Sequence, residues 1–147
     1  MNQITLHQSE FSDVETIANL RAIVLYDDLT RLGRFHEEKV RQRFRDSFAP
    51  EHTWIIQVES TFIGCIAFKP LAEGYLLEHF YIDPEYQDIG IGGQVLEYFL
   101  TQDHVTGSLV TLNVLQGSSA KRLYERFGFK VDREDSIDIF MSMIAGS

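Results

Sequence analysis

Three groups of residues in this chain have types and spacings that could do chemistry. Gly90, Gly92 and Gly93 crowd the corner between an extended stretch, Leu77–Ile82, and an amphipathic one, Gln94–Leu100. Glycines at such a corner let an anion approach the N–H groups that the first turn of a helix leaves unpartnered, where the helix dipole also favours negative charge. The corner reads as a phosphate cradle, with plain turn glycines as the alternative. Glu78 is a carboxylate that could accept a proton or simply be a solvated strand residue, and Tyr124 is a phenol that, taken alone, reads as a core aromatic on an amphipathic helix. Asp27 and Asp28 are adjacent carboxylates that could receive a cationic amine or simply be solvated.

The elements that would position these groups follow from pattern. Leu77 to Ile82 is bulky and partly β-branched, which predicts a strand, and Asp83-Pro84 stops it because proline cannot donate to a ladder. Ile91, Val95 and Phe99 recur every four residues, with Leu96 and Leu100 alongside, so a helix follows. Upstream, Ile4–His7 alternates as a short strand. Ser12 and Glu15 have capping-box spacing before a stripe of Val14, Ile17, Leu20 or Arg21, Val24 and Leu25. Residues 26–34 show no period and read as a loop, and a second helix runs from about His36 to Pro50. Thr53–Val58 and Phe62–Phe68 are strands around a hairpin-length loop, and Gly64 predicts a bulge or a close backbone contact. Leu109–Val114 is a strand, Ser118 caps a short helix ended by Gly128, and a last strand covers Ile137–Ile144. The order predicts one mixed α/β domain over residues 1–147, with a strand–helix–strand crossover at the glycine corner.

Composition narrows the function. With 147 residues and 44% hydrophobic content the chain can build a core. A net charge of −9 argues against nucleic acid or an anionic membrane as partner. The single cysteine, Cys65, rules out an internal disulfide or a cysteine cluster, sits in an apolar strand and reads as a buried small residue. His7, His36, His52 and His104 show no metal-ligand spacing, so no metal is expected. Without an apolar run long enough for a membrane span, or a leader-like start, the expectation is a cytoplasmic protein.

Gln87-x-x-Gly90-x-Gly92 fits neither the dinucleotide pattern, which would need glycine at Val95, nor a P-loop, which needs Gly-Lys. It resembles the acetyl-coenzyme A signature of the GNAT superfamily of N-acetyltransferases, Q/R-x-x-G-x-G/A. A second segment, Ala120 to Phe129, is similar to the family's N-x-A-x-x-L-Y-E-x-x-G-F hallmark, and the order of elements agrees across essentially the whole chain. The resemblance implies a mixed, mostly antiparallel central sheet, flanked by helices, whose central strands splay around the pantetheine arm. It implies acetyl-CoA as co-substrate and CoA as product. It places Phe80, Tyr81, Ile82, Gln87, Asp88, Ile89, Gly90, Ile91, Gly92, Gly93, Asn113, Ser118, Ala120 and Tyr124 at the coenzyme, and Tyr124 near the thioester sulfur. The loop between the first two helices, with Tyr26, Asp27, Asp28 and Arg31, would lie over the acceptor.

The chemistry asks for three things. An alkylammonium of pKa about 10.4 must lose a proton before it attacks a thioester. The oxyanion then gains roughly 3 kcal/mol per preorganised donor. A thiolate leaves, and a positioned phenol can protonate it. Tyr124 is the expected acid, and backbone at Ile82 the expected donor. Strand parity would align Glu78 with Phe80 and Ile82, and the resemblance implies a glutamate near there as the base, directly or through water. His79, on the other face, is the reserve. Asp88 and Ile89 stand where the family has glycine or a basic residue, and Ser118 replaces the usual asparagine. The expected reaction is direct transfer to a primary amine of a small molecule or protein. The alternative is a non-catalytic acyl-CoA-binding regulatory module. Exposed strand edges could support a homodimer.

Overall fold

A computed structural model of the chain describes residues 3–146. Among the described residues, seven strands and five α-helices follow in the order β1 (Ile4–Gln8), α1 (Val14–Val24), α2 (Tyr26–Arg31), α3 (Glu37–Ser47), β2 (Thr53–Val58), β3 (Thr61–Pro70), β4 (Tyr75–Ile82), α4 (Ile91–Leu100), β5 (Leu109–Leu115), α5 (Ala120–Arg126), β6 (Lys130–Glu134) and β7 (Asp138–Ile144). The strands hydrogen-bond in the order β1-β2-β3-β4-β5-β7-β6, a mostly antiparallel open sheet. The pair β4–β5 is parallel, which requires a crossover, and α4 supplies it. The recorded β4–β5 ladder runs over Tyr75↔Val110 and Leu76↔Thr111.

The chain divides into two compact units, one of residues through Ala67 with His79–Ile91, the other of Phe68–Glu78 with the residues from Gly92 onward. In the first, α1 buries Ile17, Ala18 and Leu20 with Phe44 of α3, Ile55, Cys65 and Tyr81, and Val14, Val24 and Leu25 pack at the margin. Burying one such large side chain contributes about 1.5–3 kcal/mol. The predicted stripe of α1 is thus its buried face. On the exposed side, Arg45 of α3 bonds Glu15 of α1 at 2.7 Å and Glu38 of its own helix at 2.5 Å. In the second unit, β5 and β7 put Val110, Leu112 and Val114 opposite Met143, Met141 and Ile139, so one face of the pair is apolar. Phe68 stacks on Tyr75 at 4.8 Å and tilts against Phe99 at 5.4 Å.

Several expectations change. The cap before α1 is not Ser12; two residues earlier the Glu10 N–H donates to Asp13 Oδ2 at 2.8 Å, and a 3-10 turn at Phe11–Asp13 leads in. Residues 26–31 form the short helix α2 rather than a loop. Leu25 stays in helical conformation, the Leu29 N–H donates to the Leu25 carbonyl at 2.9 Å, and Gly33 at φ +72 ends the run. Six residues are too few for an apolar period to show. At Gly64 both predicted features occur. The β2–β3 register shifts beside it, and a Cβ there would lie 2.3 Å from the Tyr81 carbonyl oxygen.

Candidate active site

The glycine corner is built almost wholly from backbone. Asp83 Oδ1 accepts from the Glu85 N–H at 2.9 Å, and a 3-10 turn at Pro84–Tyr86 reverses the chain after β4. Gln87 Nε2 then donates to the Ile82 carbonyl at 2.7 Å, fastening the loop to the strand it leaves. Asp88 at φ +62 and Gly90 at φ +91 curl the chain into the start of α4. The first four N–H groups of that helix have no carbonyl within it to bond, and the dipole adds positive potential there. An ideal Cβ at Gly90 would meet nothing within 4 Å. Residues 83–93 contain three carboxylates and no basic side chain, so an anion held here would be held by amides. That donor set fits a pyrophosphate. It also accounts for Asp88, because aspartate is among the few non-glycine residues that tolerate the left-handed region, and its side chain is exposed.

Strand β4 is not regular. Its burial alternates poorly, with Leu77 and Tyr81 buried, and His79 sits at φ +48. Such a conformation costs about 1–3 kcal/mol in a non-glycine residue. The period-two argument that aligned Glu78 with Phe80 and Ile82 therefore breaks at His79, as does the placing of His79 by parity. Glu78 is half-buried, and burial lifts its carboxyl above the ordinary glutamate range while Lys69 opposes the shift. Raised in this way, it suits a proton acceptor more closely than a free glutamate would. His79 is engaged on both ring nitrogens, by Ser47 and by the Tyr81 hydroxyl. Tyr81, expected at the coenzyme, has its ring in the interior of its unit, which leaves its backbone for that role. Sequence reasoning missed this polar cluster because Arg21, Ser47, His79 and Tyr81 come from three separate elements.

Tyr124 lies on α5, 7% exposed, with its ring edge-on to Phe129 at 5.7 Å. The helix is set as predicted. Ser118 Oγ accepts from the Ala120 N–H at 3.2 Å, Gly128 at φ +100 ends it, and the Tyr124 carbonyl accepts from Phe127 and Phe129. Gly93 faces the Phe127 ring, 3.9 Å from an ideal Cβ. Asn113 Nδ2 is committed to Asp138 Oδ1 at 3.0 Å, tying β5 to β7. In α2, Asp28 pairs with Arg31 at 2.6 Å. Tyr26 is half-exposed and rests edge-on to Phe35 at 4.8 Å. Cys65 is buried and its thiol is pushed up to about 12 by desolvation, so it stays protonated. Among the described residues no His, Cys, Asp or Glu cluster could hold a metal ion, and no helix is long and apolar enough to cross a membrane.

Known proteins show a consistent likeness. The family profile described as "Acetyltransferase (GNAT) domain" matches residues 49–131, more than half of the chain. No curated protein sequence matches. Among solved structures, the PaiA N-acetyltransferase of Thermoplasma acidophilum in complex with coenzyme A is 22% identical, with TM-score 0.75 over 97% of this chain and 99% of that one. The ribosomal-protein-S18-alanine N-acetyltransferase of Escherichia coli is 17% identical, with TM-score 0.72 over 99% of this chain and 96% of its own. At these identities the solved structures speak to the fold.

Proposed function

The chain belongs to the GNAT acetyltransferase family and is an acetyl-CoA-dependent acyltransferase, and from this premise we propose that it transfers the acetyl group to a primary amine by direct attack. The observation that carries the reading is the corner from Gln87 to Gly93. A side chain ties the loop to β4, two left-handed residues curl it, and a helix start follows. Acetyl-CoA supplies an activated thioester carbonyl, and the rest falls to this chain. The amides of the corner hold the pyrophosphate. The backbone of Phe80 to Ile82 binds the pantetheine arm, and the Ile82 N–H stabilises the developing oxyanion. Glu78 takes the amine proton, directly or through a water, its raised pKa shortening the gap to the amine. Tyr124 protonates the departing thiolate.

An acyl-enzyme is disfavoured by the state of Cys65, a buried and protonated thiol. The whole chain serves as one domain in this reading, since each compact unit is assembled from separated stretches and neither is a continuous piece. Calorimetric titration of acetyl-CoA and CoA at low and moderate salt tests the first half. Micromolar binding that weakens with salt is expected, and no binding to either would refute the proposal. Thiol release across a panel of amines tests the second. Tight binding with no release on any amine would favour a non-catalytic acyl-CoA-binding module.

A further inference from the structure

The irregular step in β4 is held by side chains, and those side chains form a chain with a direction. Arg21 of α1 donates through Nε to the Tyr81 hydroxyl at 2.9 Å and through Nη1 to the Val40 carbonyl. The Tyr81 hydroxyl lies 3.0 Å from His79 Nδ1, and His79 Nε2 lies 2.8 Å from Ser47 Oγ at the end of α3. Phe44 packs edge-on to the imidazole at 4.9 Å, and the Cys65 thiol donates to the His79 carbonyl at 3.2 Å.

Hydrogen bookkeeping sets the direction. A guanidinium can only donate, so the Tyr81 oxygen accepts from Arg21 and its own hydrogen can go to Nδ1. Ser47 Oγ donates to the Arg43 carbonyl, 3.0 Å away and four residues back, so it accepts from Nε2–H. His79 is then neutral, with its proton on Nε2, a tautomer assigned here from the network. The reverse order would forfeit the Ser47–Arg43 bond. The far end of the same stretch is pinned separately. Gln87 Nε2 donates to the Ile82 carbonyl at 2.7 Å, and the Asp83 N–H donates to the Ile63 carbonyl at 2.7 Å.

We propose that Arg21, Tyr81, His79 and Ser47 form a directed latch that holds β4 in its left-handed step at His79 and so presents the backbone of Phe80 to Ile82 for acetyl transfer. The proposal rests on the function read above, and within it His79 and Tyr81 are positioning residues. They touch no reacting atom; they set where the backbone donor stands. Nitrogen-15 spectroscopy of the full-length wild type near neutral pH reads the tautomer without any reaction, and the Nε2–H form alone is expected. Tyr81→Phe keeps the ring and removes the link. His79→Gly keeps the backbone at ease with positive φ and removes the ring. Each is expected to lower kcat about tenfold through misplacement and to weaken acetyl-CoA binding by less than that, since the amides of the corner that hold the pyrophosphate are untouched. An Nδ1–H or protonated His79 in the wild type, or wild-type kcat in both variants, would overturn the latch. A wild type that neither binds acetyl-CoA nor acetylates any amine would instead sink the functional reading, and the latch would then stand or fall on the tautomer.

Discussion

The corner from Gln87 to Gly93 and helix α5 carry the two halves of the proposed chemistry, and they are built on opposite terms. The corner works through amides. Its side chains are largely exposed, and its residue choices answer to backbone conformation, glycine at φ +91 and aspartate at φ +62. Helix α5 works through one side chain, the buried Tyr124 phenol, and its other residues answer to capping and packing. A site made of amides tolerates changes of side chain and fails when φ is refused. A site made of one hydroxyl fails when that hydroxyl goes and is indifferent to most else.

This contrast can be broken at either end. Tyr124→Phe removes the proposed acid alone, and kcat should fall about a hundredfold with the Kd for acetyl-CoA unchanged. If turnover persists, the acid lies elsewhere. Gly90→Val attacks the other half. A β-branched residue held at that φ costs about 2 kcal/mol, so acetyl-CoA binding measured by calorimetry should weaken about thirtyfold. Its kcat at saturation should move far less, and a fall in kcat without a change in Kd would contradict the division of labour.

Glu78 belongs to the side-chain half. Glu78→Gln should lower kcat/KM about tenfold, since water can replace part of the function. In the wild type the acidic limb of the kcat/KM profile should lie above the ordinary glutamate value of about 4.3, and the variant should lack it. Stability carries the same signature. A carboxyl whose pKa is raised on folding binds its proton more tightly in the native state. Its contribution is therefore complete below the unfolded pKa and declines as pH rises through the folded one. Melting curves should show the wild type losing stability relative to Glu78→Gln across that window. The smallest change is expected at Asp88→Gly, which keeps the left-handed conformation and removes a carboxylate from the cradle. Acetyl-CoA should bind about threefold tighter at low salt, with the gain shrinking as salt is added.

Much of this was legible before any fold was seen. The stripe of Val14, Ile17 and Leu20, the glycine corner, the helix between Ser118 and Gly128, and the close approach at Gly64 are local statements, written by residues a few positions apart. The short helix α2 escaped because six residues carry no period. The cap at Glu10 and Asp13 escaped because Ser12 offered the more familiar spacing.

What the sequence determined alone is most of the local conformations and, through two matching motifs, the family and its acetyl-CoA chemistry. Steric limits on φ and the periods of helix and strand act over a few residues, so they can be read along the chain. Tertiary structure decided which side chains those conformations leave available. It turned the Tyr81 ring inward to Arg21, gave Asn113 to Asp138, buried Glu78 far enough to raise its pKa, and broke the alternation of β4 at His79. Each of these depends on partners brought from distant segments, and hydrogen bonding and desolvation act through space, where sequence spacing gives no measure of distance.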